Sequence, residues 1–154
     1  MDLHPFVVHF PIALLTLSAV CDLVGVLADR EQLRWTGFLL LVVGTIGALI
    51  AALTGDAAEH VAGQIPGIHD ALEQHEDFAT LTIWTAVFLV LGRAHFVVKR
   101  RFLGVARAVY LVLALCLAAL VLYSGYTGGK MVHDFEAGTV RAEANPEARI
   151  QESD

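Results

Sequence analysis

The chain has 154 residues, 56% hydrophobic and 17% charged, with a mean hydropathy of +0.65 and a formal net charge of -6. So apolar a composition excludes an ordinary water-soluble domain. Its basic residues gather at two short connections, which excludes a nucleic-acid-binding surface.

Four apolar runs, Phe6 to Ala28, Trp35 to Leu53, Phe78 to Val98 and Val105 to Tyr126, are each close to the about 20 residues that a helix needs to cross the hydrocarbon. Backbone groups in lipid must bond within their own element, and the runs lack the alternating polar residues of barrel strands. The expected fold is therefore all-α, a four-transmembrane-helix bundle over residues 1–135. The polar tail, 136–154, is expected to be disordered or held by a partner. The first run follows MDLHP, which has no basic n-region, so it is expected to remain in the mature protein rather than leave as a signal peptide.

Within the first run, Pro5 suits a first helical turn after a His4 cap, and Pro11 is expected to bend the helix and aim His9 inward. Asp70 or His69 is the expected cap of the third helix. Cys21 and Cys116 read as small buried packing residues. Asp22 lies inside the first span, where an acid is costly unless paired. It reads as a proton-relay group or as the partner of Arg30, Arg107 or a helix terminus.

Arg30, Arg34, Arg93, Lys99, Arg100, Arg101 and Arg107 flank the first and third connections. The positive-inside rule makes that face cytoplasmic and puts both termini on the outer face of a bacterial inner membrane. The outer face collects Asp2, Asp56, Glu59, Asp70, Glu73, Glu76, Asp77, Asp134 and Glu136. Six of the seven histidines, His4, His9, His60, His69, His75 and His133, fall at the same outer end. Only His95 lies on the inner side, where it reads as interfacial.

An internal repeat sharpens this pattern. HFPIALLT (9–16) aligns with HEDFATLT (75–82), and TGDAAEH (54–60) with TGGKMVH (127–133). The alignment suggests two helix pairs related by a pseudo-two-fold axis along the membrane normal. Such an axis brings His9, His75, His60 and His133 toward one point. Small residues lie beneath two of them, Ala13, Thr16 and Val20 under His9 and Ala79, Thr82 and Ala86 under His75, leaving room for a flat macrocycle or for close helix packing.

Three chemistries follow. Imidazoles at bundle depth suit b-type haem, one or two groups, in an electron carrier; no Cys-x-x-Cys-His is present for covalent attachment. Trp35, Trp84, Tyr123 and Tyr126 line such a pocket or anchor the helices at the interface. Alternatively, His69 with Glu73 and Asp56 with His60, each spaced i, i+4, together with Glu76 resemble a mixed His/carboxylate sphere for a Zn, Cu or Fe ion. Thirdly, the histidines cap helices in the headgroup layer of a structural subunit. A stand-alone enzyme is not indicated, because neither a nucleophile-base constellation nor a phosphate loop occurs.

HPFVVHFPIALL, LEQHEDFA and YTGGKMVHDFEAG, in that order, resemble the three landmarks of a bacterial family of predicted four-span membrane proteins of unknown function. The resemblance covers about residues 4 to 140. Members of that family are sometimes fused to Rieske iron-sulfur or cytochrome c modules, which implies redox work at the outer face. The expected partner is a Rieske or cytochrome c protein or a quinone, with a homo-oligomer or a larger complex left open. His4, His9 and His75 match the family's histidines. His133 departs from its pattern, in which a tyrosine is common there and a histidine follows where this chain has Phe135 or Glu136.

Overall fold

The computed structural model describes residues 4–63, 65–99 and 104–135, without the side chains of 4–6 and 56–62. Four helices account for nearly all of them: α1 (His4–Leu27), α2 (Glu31–Ala62), α3 (His69–Val98) and α4 (Gly104–Phe135). All four are long and apolar enough to cross a membrane. The tail from residue 136 on lies outside the described residues.

The helices outrun the apolar stretches that announce them. α2 has 32 residues and α3 has 30, about 48 and 45 Å at about 1.5 Å per residue, against about 30 Å of hydrocarbon. Most of the expected connection from Gly55 to Asp77 is helical, because its Ala, Leu, Glu and Gln are strong helix formers and its only proline is Pro66. Hydropathy marks the part of a helix that lipid tolerates, and polar helix formers then carry it on into the headgroups. At the histidine end, α2 runs about nine residues past Leu53 and α3 begins about nine residues before Phe78, each an extension of about 13 Å.

Packing follows a ring: α1 lies against α2 and α4, and α3 against α4 and α2, so α1 faces α3 across the diagonal. The α1–α2 seam is the tightest. A methyl group on Gly44 would sit 2.9 Å from the Leu15 side chain, so glycine there lets the backbones close in. Ser18 donates to the Gly37 carbonyl at 2.8 Å across the same seam. Between the two helices the chain reverses in three residues. Asp29 takes the left-handed conformation at φ 47°, and Arg30 N–H returns to the Gly25 carbonyl at 2.8 Å, the bonding of a Schellman turn with Asp where Gly is usual.

The buried positions carry the two-fold pattern, with one correction. On α2, Gly37, Leu41, Gly44, Ala48 and Ala51 are buried, and Tyr110, Ala114, Leu117, Val121 and Ser124 are buried in the same spacing on α4. That is the correspondence which pairs TGDAAEH with TGGKMVH. On α1 the buried residues Leu15, Ser18 and Asp22 correspond to Ala86, Leu89 and Arg93 on α3. This register sets position 4, rather than His9, opposite His75. The sequence match of 9–16 with 75–82 is therefore offset from the structural one. Equivalent residues in it face differently, since Leu15 is buried and Leu81 is half exposed.

Other expectations change on the same grounds. The N-cap of α3 is Ile68, fully buried and without a side-chain cap, in place of His69 or Asp70. Cys21 is half-buried, but Cys116 is exposed on α4, where lipid accepts a thiol as readily as a core would.

Candidate functional site

His75 has its ring against another helix. It sits two turns into α3 on the stripe that continues through Thr82, Ala86, Leu89 and Arg93, all buried. Its Nδ1 lies 3.0 Å from Thr127 Oγ1 on α4, and that hydroxyl in turn donates to the Ser124 carbonyl at 3.0 Å. A hydroxyl has one proton to give, so Thr127 accepts from His75 Nδ1–H. A neutral ring protonated at Nδ1 has its lone pair on Nε2, the form in which imidazole binds a metal. Gly128 makes room, since a methyl group there would stand 3.1 Å from His75 Cε1. One turn deeper, Phe78 meets Tyr123 edge-on at 4.5 Å and closes the α3–α4 contact.

The remaining predicted residues do not gather around His75. His9 is exposed on the face of α1 that also carries exposed Ala13 and Val20, away from Pro11, Leu15 and Ser18. Pro11 is buried on the α2 side instead of turning His9 inward. On the α3 half of the small-residue stripe Thr82 and Ala86 are buried, whereas on the α1 half Ala13 and Val20 are exposed and Thr16 alone is half-buried, so the two halves do not form matching walls. His133 has a side chain 90% exposed and a contact of 3.4 Å to Asp134. His69, Glu73 and Glu76 are exposed along the start of α3. The side chains of His4, His60 and Asp56 lie outside the described residues. Among the described residues no group of three or more His, Cys, Asp or Glu is arranged to hold a metal ion.

Beside Thr127 a cavity of ≈ 210 Å³ opens between the start of α3 and the end of α4, lined by Gly67, Asp70, Gln74, Lys130, Met131 and Phe135 among others. It is smaller than the about 300–1,000 Å³ of ordinary cofactor pockets.

The most densely built polar site is at the opposite end. Asp22 is fully buried, accepts from Tyr110 O–H at 2.6 Å and faces Arg93 Nη2 at 3.6 Å across the diagonal. Arg93 also donates to the Arg34 carbonyl at 3.2 Å and lies 4.9 Å over the Tyr110 ring. All four helices thus meet around one carboxylate. The sequence singled out Asp22 but assigned it Arg30, Arg107 or a helix terminus. The missed signal was Arg93, a second charge set well inside an apolar span. The trio is a neutral ion pair tied by a short hydrogen bond, and its chemistry is that of an interhelical anchor.

Residues 1–141 match the family described as "Predicted membrane protein (DUF2231)". The chain belongs to that family. Its four apolar helices agree with the description. No curated protein and no solved structure matches the chain.

Proposed function

We propose that this chain is a membrane-embedded electron carrier that would hold haem b at its histidine end, with His75 as one of the residues that would ligate it. The observation that carries the reading is the Ser124–Thr127–His75 chain, which orients the imidazole through Nδ1. Hydrogen bonding at the far ring nitrogen is how ligating histidines are ordinarily fixed. A haem asks the protein for only one or two side-chain ligands. The second imidazole is assigned to His4, whose position the buried register relates to His75, ahead of His9 on the outer face.

When bound, the group would supply one-electron chemistry between ferric and ferrous iron. The chain's own part is to orient His75, to keep one side of it dry with Phe78 and Tyr123, and to present the site on helix ends beyond the hydrocarbon. Because the cavity beside Thr127 is smaller than a macrocycle, binding entails parting the polar ends of the helices. The basic connections orient this end outward by the positive-inside rule, toward a Rieske, cytochrome c or quinone partner.

The test is an absorption spectrum of the purified protein, oxidised and then reduced with dithionite. Sharp α and β bands are expected on reduction, lost in His75→Ala and His4→Ala and kept in His9→Ala. A colourless protein under haem-replete expression overturns the reading, and bands that survive His75→Ala overturn the ligand assignment.

A further inference from the structure

The cavity beside Thr127 carries both signs of charge. Asp70 and Gln74 stand one turn apart on α3, Lys130 and Asp134 one turn apart on α4, and all four line it. Their polar ends are open to a ligand rather than to one another. Among the described residues Asp70, Gln74 and Lys130 form no ion pair or side-chain hydrogen bond, and Asp134 meets only its neighbour His133, at 3.4 Å. The rest of the lining includes Ala71, Met131 and Phe135, which are apolar.

The charges are also layered along the helix axes. Gln74 lies four residues before Phe78 and Lys130 four residues after Tyr126, each about 6 Å beyond the apolar runs; Asp70 and Asp134 are four residues further out, at about 12 Å. The headgroup layer of a leaflet is about 5–7 Å deep. The inner level therefore offers an ammonium and an amide at phosphate depth, and the outer level offers two carboxylates. A ligand that matches carries its anion below and its cation above, joined by a short apolar link. That is the order of charges in phosphoethanolamine when it is the headgroup of a lipid in the adjoining leaflet. A volume of ≈ 210 Å³, below the range for drug-sized ligands, suits so small a group. We propose that this cavity binds the headgroup of phosphatidylethanolamine, with Lys130 and Gln74 on the phosphate and Asp70 and Asp134 on the primary ammonium. A primary ammonium has three N–H groups to share between two carboxylates, and the quaternary nitrogen of choline has none.

The full chain is placed in nanodiscs of phosphatidylcholine with a minority each of phosphatidylethanolamine and phosphatidylglycerol, and retained lipid is read by native mass spectrometry. The expected result is phosphatidylethanolamine held well above its bulk proportion. Lys130→Gln, Asp70→Asn and Asp134→Asn should each lower its retention by about two- to fivefold, the worth of one exposed charge pair, while Glu73→Gln, outside the lining, leaves it unchanged. Circular dichroism and thermal unfolding in pure phosphatidylcholine establish that each variant folds; if one does not, the other two decide. Retention at the bulk proportion in the unaltered protein, or unchanged retention in all three variants, overturns the proposal. Phosphatidylglycerol enrichment that falls with Lys130→Gln as phosphatidylethanolamine does overturns it in favour of a simple anion site. Soluble phosphoethanolamine that raises the unfolding temperature in pure phosphatidylcholine, with no enrichment of the lipid, overturns it in favour of a soluble zwitterion. Haem content enters none of these readouts, and Thr127 is left unaltered because its hydroxyl belongs to the His75 chain.

Discussion

Removing the charge on Asp22 tests the anchor at the arginine end. Asp22→Asn keeps the side-chain shape and an acceptor for Tyr110 but leaves the buried Arg93 guanidinium without its counter-charge. At 3.6 Å, with an effective dielectric constant of about 20, the attraction lost is about 5 kcal/mol. That agrees in scale with the about 3–5 kcal/mol by which breaking a buried pair destabilises a protein. Arg93→Gln should cost a similar amount. The double variant should cost much less than the sum, because no orphaned charge remains, giving a coupling energy of about 2–3 kcal/mol. Reversible unfolding by SDS titration in mixed micelles, followed by fluorescence of Trp35 and Trp84, measures all four corners of the cycle. Additive single effects, with coupling below about 0.5 kcal/mol, would refute the pairing as a stabilising unit.

Tyr110→Phe deletes a hydroxyl that donates to Asp22 at 2.6 Å and should cost about 1.5–3 kcal/mol in the same titration. Gly37→Ala brings a methyl group within 2.8 Å of the Asp22 carboxyl and should destabilise by about 1–3 kcal/mol. Gly92→Ala, which meets nothing within 4 Å, should be neutral or stabilise by up to about 1 kcal/mol; equal effects at the two glycines would deny the close approach at position 37. On the proposed haem site, Thr127→Val should weaken haem retention by about 10–100-fold and Thr127→Ser should restore it, as followed by the α band during dilution.

The spans were legible in the sequence because about 20 apolar residues in a row have few other uses. Which face of each span turns inward was not. Lipid-facing residues such as Phe88 and Val112 are as apolar as buried Leu117, so composition cannot separate core from lipid face. His9 and His75 consequently look equivalent in sequence yet fall on opposite kinds of face. The sequence singled out His75 as one of six outer-end histidines, while its partner Thr127 entered only as part of a TGG repeat, since a hydrogen bond between helices leaves no mark on periodicity. The same holds for Asp22, where charge alone flagged the residue and only the fold could supply Arg93 and Tyr110.

The three-residue reversal and the glycine seam pack α1 against α2 within the first 62 residues. Chains are made from the N-terminus, so this hairpin can enter the bilayer before the second half exists. One group in it must wait, because Arg93 and Tyr110 are synthesised last. Until they arrive Asp22 lacks its Tyr110 hydrogen bond and its Arg93 partner, and within the hairpin only Arg34 on α2 offsets its charge.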